Sequence, residues 1–231
     1  MRNKLSNIEI KLNNEKEIAL NKYISLFLDY NENVNLISKN DTKVLFEKHI
    51  YDSLALNLFL KDNSVKNILD IGTGGGFPSL PLSIYFDKIN ITAVDSIGKK
   101  INFIKQAKNE LNIININPIC SRVEDLPDEM KNNFDVVTTR AMADLREILE
   151  YAIPYVKTNG YFIAYKSIKA KEELENAKNA LKVLNTKLVN TIEYKLPLEE
   201  NNIRVLLVFK KLKNIPSSYP RKNGLVKKKP L

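Results

Sequence analysis

Only seven glycines occur in 231 residues, and four of them lie between Gly72 and Gly76. This cluster, Gly72-Thr73-Gly74-Gly75-Gly76, closes the short apolar run NILDI. A buried strand that ends in such a turn uses residues without a Cβ where φ is positive or where something must approach the backbone closely. Runs of the same apolar type follow as INITAVDS, ININPIC, FDVVTTR, GYFIAYK and NIRVLLVFKK, with helix-forming stretches between several of them. Near-continuous Ile/Val runs bounded by turns describe strands buried on both faces. Alternated with helices, they predict an α/β fold with a doubly wound, mostly parallel sheet. NTKLVNTIEYKLPL adds a late strand, expected antiparallel to 203–210, which brings the sheet to seven strands. KAKEELENAKNALKVL, without Gly or Pro, reads as one helix.

Ahead of the sheet the rhythm is helical. Ile18, Tyr23, Leu26, Phe27 and Tyr30 form an amphipathic stripe. A second helix, capped at Asp41 or Thr42, carries Leu45, His49, Asp52 and Leu56 at helical intervals. The expected division is an N-terminal helical segment 1–65, an α/β domain 66–212 and a C-terminal tail 213–231.

In a doubly wound sheet the ligand sits at the carboxyl ends of the strands. A dinucleotide fingerprint, G-x-G-x-x-G, needs Gly or Ala at position 77, and the chain has Phe77 followed by Pro78. The spacing of Gly72, Gly74 and Gly76 instead resembles the loop of Rossmann-like S-adenosylmethionine-dependent methyltransferases, whose cofactor has a ribose and a methionine moiety but no phosphate. The second strand ends in Asp95, 23 residues beyond Gly72, near the spacing at which a carboxylate accepts from both ribose hydroxyls. Glu124 and Asp125 follow the third strand, where an adenine amino group would lie. Asp70 either holds the turn or faces the ligand's ammonium.

The acceptor is approached through what the chain lacks. TTRAMADL, after the fourth strand, has no proline clamp for an exocyclic amine. Cys120 is the single cysteine, read as a small buried residue rather than a nucleophile. His49 is the single histidine, read as a structural hydrogen-bonding group, and no metal cluster is expected. Guanine N7 fits these absences, because an in-ring lone pair has no proton to remove and needs chiefly to be positioned. Arg140, closing the fourth strand, points to the zone shared by cofactor and acceptor, and Arg122 lies near the end of the third. Each is also compatible with a structural ion pair. No catalytic base is identified, and Phe77, Tyr165 and Tyr219 are candidates for stacking on a base.

Net charge is +9, and from Lys210 onward there are eight basic residues and no acid. Such a tail suits a polyanion, most simply nucleic acid; Pro216, Pro220, Pro230 and Gly224 make it irregular rather than helical. The N-terminus is polar, no stretch approaches the ~20 apolar residues of a membrane span, and a cytoplasmic location is expected.

FEKHIYDSLAL (46–56), LDIGTGGGFPSLPL (69–82), AVDSIGKKINFI (93–104), SRVED (121–125), TTRAMADL (138–145) and YPRKNGLVKKKPL (219–231) occur in this order along nearly the whole chain. In these segments it resembles the bacterial 16S ribosomal RNA guanine-N7 methyltransferases, long called glucose-inhibited division protein B. The resemblance implies cofactor contacts at Gly72, Phe77, Val123–Glu124 and Arg140, and methyl transfer to N7 of a guanine in the small-subunit RNA near the decoding region. The chain departs from the family at Gly75, where proline is common, and at NGLV, where Pro-Gly-Thr-Pro is frequent. On this reading Arg122, Arg221, Lys222, Lys227, Lys228 and Lys229 hold 16S rRNA phosphates, whether the partner is free RNA or the small subunit, and no obligate protein partner is implied. Deletion of 219–231 is then expected to weaken RNA binding and spare cofactor affinity. A small-molecule methyltransferase with an incidental tail and a non-catalytic nucleic-acid-binding protein are the alternatives.

Overall fold

A computed structural model describes every residue except 141–143, 168–169, 200–201 and 223. Its Ile/Val-rich runs form one seven-stranded sheet of β1 (Asn67–Ile71), β2 (Asn90–Asp95), β3 (Ile116–Cys120), β4 (Phe134–Arg140), β5 (Val156–Ser167), β6 (Thr186–Lys195) and β7 (Ile203–Lys211). The strand order is β3-β2-β1-β4-β5-β7-β6. Strands β3 to β5 in that order pair in parallel, and β7 runs antiparallel between β5 and β6, as the sequence predicts for the late hairpin. The order reverses between β1 and β4. Connections leave that point in opposite directions and open a crevice at the carboxyl ends of the strands.

Two apolar layers cover the sheet. Ile68, Ile91, Val136, Ile163 and Leu206 face one layer, and Leu69, Val94, Val137, Phe162 and Leu207 the other. The first layer includes the whole N-terminal segment, so residues 1–65 share a core with the sheet instead of enclosing their own. Its longest element is α1 (Asn14–Val34), started by the Asn13 side chain accepting from Lys16 N–H at 2.8 Å. Leu20, Tyr23, Phe27 and Asn31 are its buried face. Ile18, placed on that stripe by the sequence, is 67% exposed. It is two residues from Leu20, about 200° around the helix, and so lies on the far side.

Phe27 and Tyr23 enter an aromatic cluster with Phe77, which closes the glycine turn, and with Phe103. Phe103 belongs to α3 (Gly98–Glu110), which follows α2 (Ser79–Tyr85). A Cβ at Gly75 would sit 2.9 Å from Phe27 Cε2. The absence of a side chain there is therefore a packing requirement of α1 and not a ligand contact.

The second helical segment differs from expectation. Its cap is Ser38, whose hydroxyl accepts from Asp41 N–H. After the turn Lys39–Thr42 the chain makes a π-helical turn, Phe46–Tyr51, then short α turns at Asp52–Leu54 and Asn57–Leu60. Residues from His49 to Leu56 are all buried, so no single face of a regular helix could hold them. The wide turn rotates His49 and Asp52 together toward the sheet edge, and π turns recur at functional sites.

On the opposite layer lie α4 (Leu145–Ala152), α5 (Ala170–Asn176) and α6 (Lys178–Val183), the last two separated at Ala177 where one helix was expected. The tail is also more ordered than its prolines suggest. It makes a helical turn, α7 (Leu225–Lys228), with Val226 fully buried. Among the described residues no helix is long and apolar enough to cross a membrane.

Because Phe27 packs both the glycine turn and α3, Phe27→Ala is expected to lower stability by about 3–5 kcal/mol. Ile18→Ala on the exposed face should stay within about 0.5 kcal/mol. Urea unfolding of both variants checks the assignment of the helix faces.

Candidate functional site

The glycine turn is held from below. Gly72 N–H and Thr73 N–H both donate to Val94 O, at 2.8 and 3.0 Å, and bend the loop over the end of β2. Asp70 is fully buried beneath it and accepts from Ser79 Oγ at 2.5 Å, while Thr73 Oγ1 meets Ser79 Oγ at 3.0 Å. Burial pushes the Asp70 carboxyl up to about 7, with the bonds from Ser79 and Thr73 opposing. Asp70 therefore holds the turn. Among the described residues its buried Oδ1 has no hydrogen-bond partner, and Asp70 does not line either cavity described below.

Asp95 stands at the tip of β2. Its Oδ2 accepts from Gly74 N–H and its Oδ1 from Ile97 N–H, both at 2.9 Å, and Lys100 Nζ approaches within 3.6 Å. Each oxygen keeps a further lone pair, so a carboxylate locked by two backbone donors can still accept from a diol. Gly74 has φ +59° and a Cβ there would meet nothing within 4 Å, whereas at Gly76 it would strike Leu80 at 2.5 Å. The loop is open at Gly74 and packed at Gly76. Gly72 and Asp95 line a cavity of about 470 Å³ with Arg122, Val123 and Glu124, within the range of ligand sites. Phe77 does not reach it. Its ring belongs to the aromatic cluster, 5.0 Å from His49 and 5.2 Å beneath the Arg140 guanidinium.

Arg140 lines a second cavity, of about 380 Å³, along the same edge of the sheet. Its Nη1 donates to Lys48 O and to Asp52 Oδ2, each at 3.1 Å, and its Nη2 lies 2.8 Å from His49 Nδ1. Asp52 Oδ1 accepts from Tyr194 Oη at 2.5 Å, and Tyr165 Oη donates to Ser53 O at 2.8 Å. Since Arg140 can only donate, Nδ1 accepts and the imidazole proton is assigned to Nε2. Burial, then the Arg140 charge, pulls His49 down to about 3. The histidine is thus neutral, and it has the structural hydrogen bond expected of it. Arg140 is both things the sequence left open, an ion-pair partner of Asp52 and a wall of a cavity. Asp52, Lys48 and Tyr194 went unassigned as site residues; the signal for Asp52 was its i, i+3 spacing from His49.

Two placements correct the sequence reading. Cys120 is exposed, because β3 is an edge strand and Cys120 ends it. Arg221 is not free over its whole guanidinium, since Nε and Nη2 donate to the two oxygens of the fully buried Glu150 at 2.7 and 2.6 Å, and among the described residues only its Nη1 is left for a phosphate. Lys222, Lys227, Lys228 and Lys229 are exposed, as is Arg122. Tyr165 is buried at the second cavity, and Tyr219 is half-buried outside its lining, beside Pro216. Part of TTRAMADL and of NGLV lies outside the described residues.

Comparison with known proteins accords with this layout. Residues 16–203 match the family described as GidB, rRNA small subunit methyltransferase G. A protein of Fusobacterium nucleatum named ribosomal RNA small subunit methyltransferase G is 39% identical, covering 98% of this chain and 97% of its own. One of the same name from Lysinibacillus sphaericus is 37% identical over 96% and 94%. The crystal structure of a SAM-dependent methyltransferase from Aquifex aeolicus aligns with a TM-score of 0.56 at 19% identity, over 75% of this chain and 96% of that one. That likeness is one of fold.

Asp70 and His49 pull stability in opposite directions. The folded state holds the Asp70 proton up to about pH 7 and the unfolded chain only to about 3.8, so this group's contribution falls as pH rises between them. For His49 the unfolded chain binds the proton from 6.5 downward and the folded state only near 3, so its contribution falls as pH drops. Asp70→Asn should therefore gain on the parent protein from pH 4 to 7, by up to about 1.4 kcal/mol per pH unit. Urea unfolding across that range reads the difference, and parallel curves would contradict it.

Proposed function

The chain belongs to the GidB family of small-subunit ribosomal RNA methyltransferases, and from that premise we propose that it methylates N7 of a guanine in 16S rRNA by positioning alone. What supports this most is one arrangement. Two cavities open along the same edge of the sheet, one over Asp95 and one over Arg140, on either side of the point where strand order reverses.

The first cavity fits S-adenosylmethionine. Asp95 offers two acceptors to the ribose hydroxyls, Gly72 and the open side of Gly74 leave room beside the backbone, and Val123 and Glu124 flank the adenine position. When bound, that cofactor supplies a methyl group on a positively charged sulfur. The protein has to bring a nucleophile to it and exclude water.

The second cavity is the place for the base. Among the described residues three of Arg140's N–H donors are committed, to Lys48 O, Asp52 and His49, which leaves two for a ligand. Donated to guanine O6, they hold the base by its Hoogsteen edge and leave the N7 lone pair free. Methylation at N7 puts a positive charge on the base. A neutral His49 adds no second cation beside Arg140, whose charge Asp52 faces. No proton leaves N7, so no side chain need act as a base. The exposed tail lysines and Arg122 hold adjoining phosphates while the guanine is turned out of its stack. Such an enzyme works where ribosomes are, in the cytoplasm.

With radiolabelled S-adenosylmethionine and ribosomal RNA from a strain lacking the protein, label is expected in 7-methylguanosine at one site of 16S rRNA. Label confined to small molecules, or none, overturns the proposal. Arg140→Ala should lower the single-turnover rate by about 100-fold or more at saturating cofactor, with a smaller loss for Asp52→Asn.

A further inference from the structure

The basic tail is not a free arm. Glu150, on α4, is fully buried, and both of its oxygens are taken by Arg221 through the backbone N–H at 3.0 Å, Nε at 2.7 Å and Nη2 at 2.6 Å. Arg221 Nη2 also donates to Lys229 O at 2.8 Å, which folds the last turn back toward the anchor. Between these points Val226 is inserted into the apolar layer that contains Leu145 and Leu149. Gly224 and Lys227 then line the cavity over Asp95, next to Tyr151 of α4.

We infer that the turn 224–228 is the outer wall of the cofactor site, latched to α4 by the Arg221–Glu150 pair. This rests on the reading that the cavity over Asp95 holds S-adenosylmethionine. A buried carboxylate is tolerated only when paired, so opening the latch strands the Glu150 charge and the tail is held strongly in its closed position. The same turn carries Lys227 and Lys228 on its exposed side, with Lys222 and Lys229 next to it. A polyanion gripping these lysines engages the element that walls the cofactor cavity, so whatever effect one ligand has on the other's affinity is reciprocal. On this inference the tail would serve the cofactor site as well as RNA.

The test uses the full-length protein without RNA, in Glu150→Gln, which keeps every tail lysine, and in Glu150→Gln/Arg221→Gln, which leaves no charge unpaired should the single variant fail to fold. If the closed fraction falls to about a tenth, S-adenosylmethionine affinity by titration calorimetry drops about tenfold. Amide hydrogen exchange at 224–228 should lose its protection in the same variants. Parent-like affinity together with parent-like protection in the folded double variant overturns the latch. Lost protection with unchanged affinity overturns the wall. If the parent protein itself binds no S-adenosylmethionine, the functional reading fails, and the exchange measurement still decides the latch.

Discussion

The guanidinium of Arg140 ties together segments that the chain keeps far apart. It leaves β4, lies over the Phe77 ring of the glycine turn, and donates into the segment 48–52 through Lys48 O, His49 and Asp52. Asp52 passes the connection on to Tyr194 of β6. One largely buried charge thus joins the N-terminal helices, the glycine turn and the far edge of the sheet. A charge taken out of water is stable only with its donors satisfied, and removal of one partner of a buried pair costs about 3–5 kcal/mol. The position of the segment 48–52 and the shape of the second cavity both depend on that requirement.

The same economy appears at Asp95. Its carboxylate shapes the loop through Gly74 and Ile97 and still has acceptors left for a diol. A site preorganised in this way has little to rearrange when a ligand arrives, which is what a reaction limited by alignment requires. Nucleophilic attack by an in-ring lone pair asks for a fixed distance and angle and for no proton acceptor. His49, the single histidine of the chain, is instead kept neutral by burial and by the Arg140 charge, and is oriented by Arg140.

The sheet could be read from the sequence because buried parallel strands are nearly uninterrupted in Ile and Val and end at turn residues. The position of Asp95 was legible for a similar reason, since a carboxylate was expected a fixed stretch of chain beyond the first glycine, and Asp95 lines the cavity there. Other features depend on contacts between distant residues and leave no local mark. The partner of Glu150 is 71 residues away, and nothing near either residue distinguishes that pair from surface charges. Prolines made the tail look irregular, yet Val226 is fully buried in the apolar layer, with Ile215, Tyr219 and Leu231 packed against it. The π turn at Phe46–Tyr51 is equally silent, since its side chains satisfy a helical pattern and only full burial reveals the extra width. Phe77 illustrates the converse. The resemblance implies a cofactor contact there, while its ring is committed to the core beneath Arg140.

The central claim is that methyl transfer here is a matter of alignment, with no proton moved as the new bond forms. The most direct test compares single-turnover rates in light and heavy water at saturating cofactor and RNA. Equal rates are predicted, because no N–H or O–H bond breaks in the step. A clear slowing in heavy water that persists once chemistry is rate-limiting would mean that a base acts in the site, and would contradict the account.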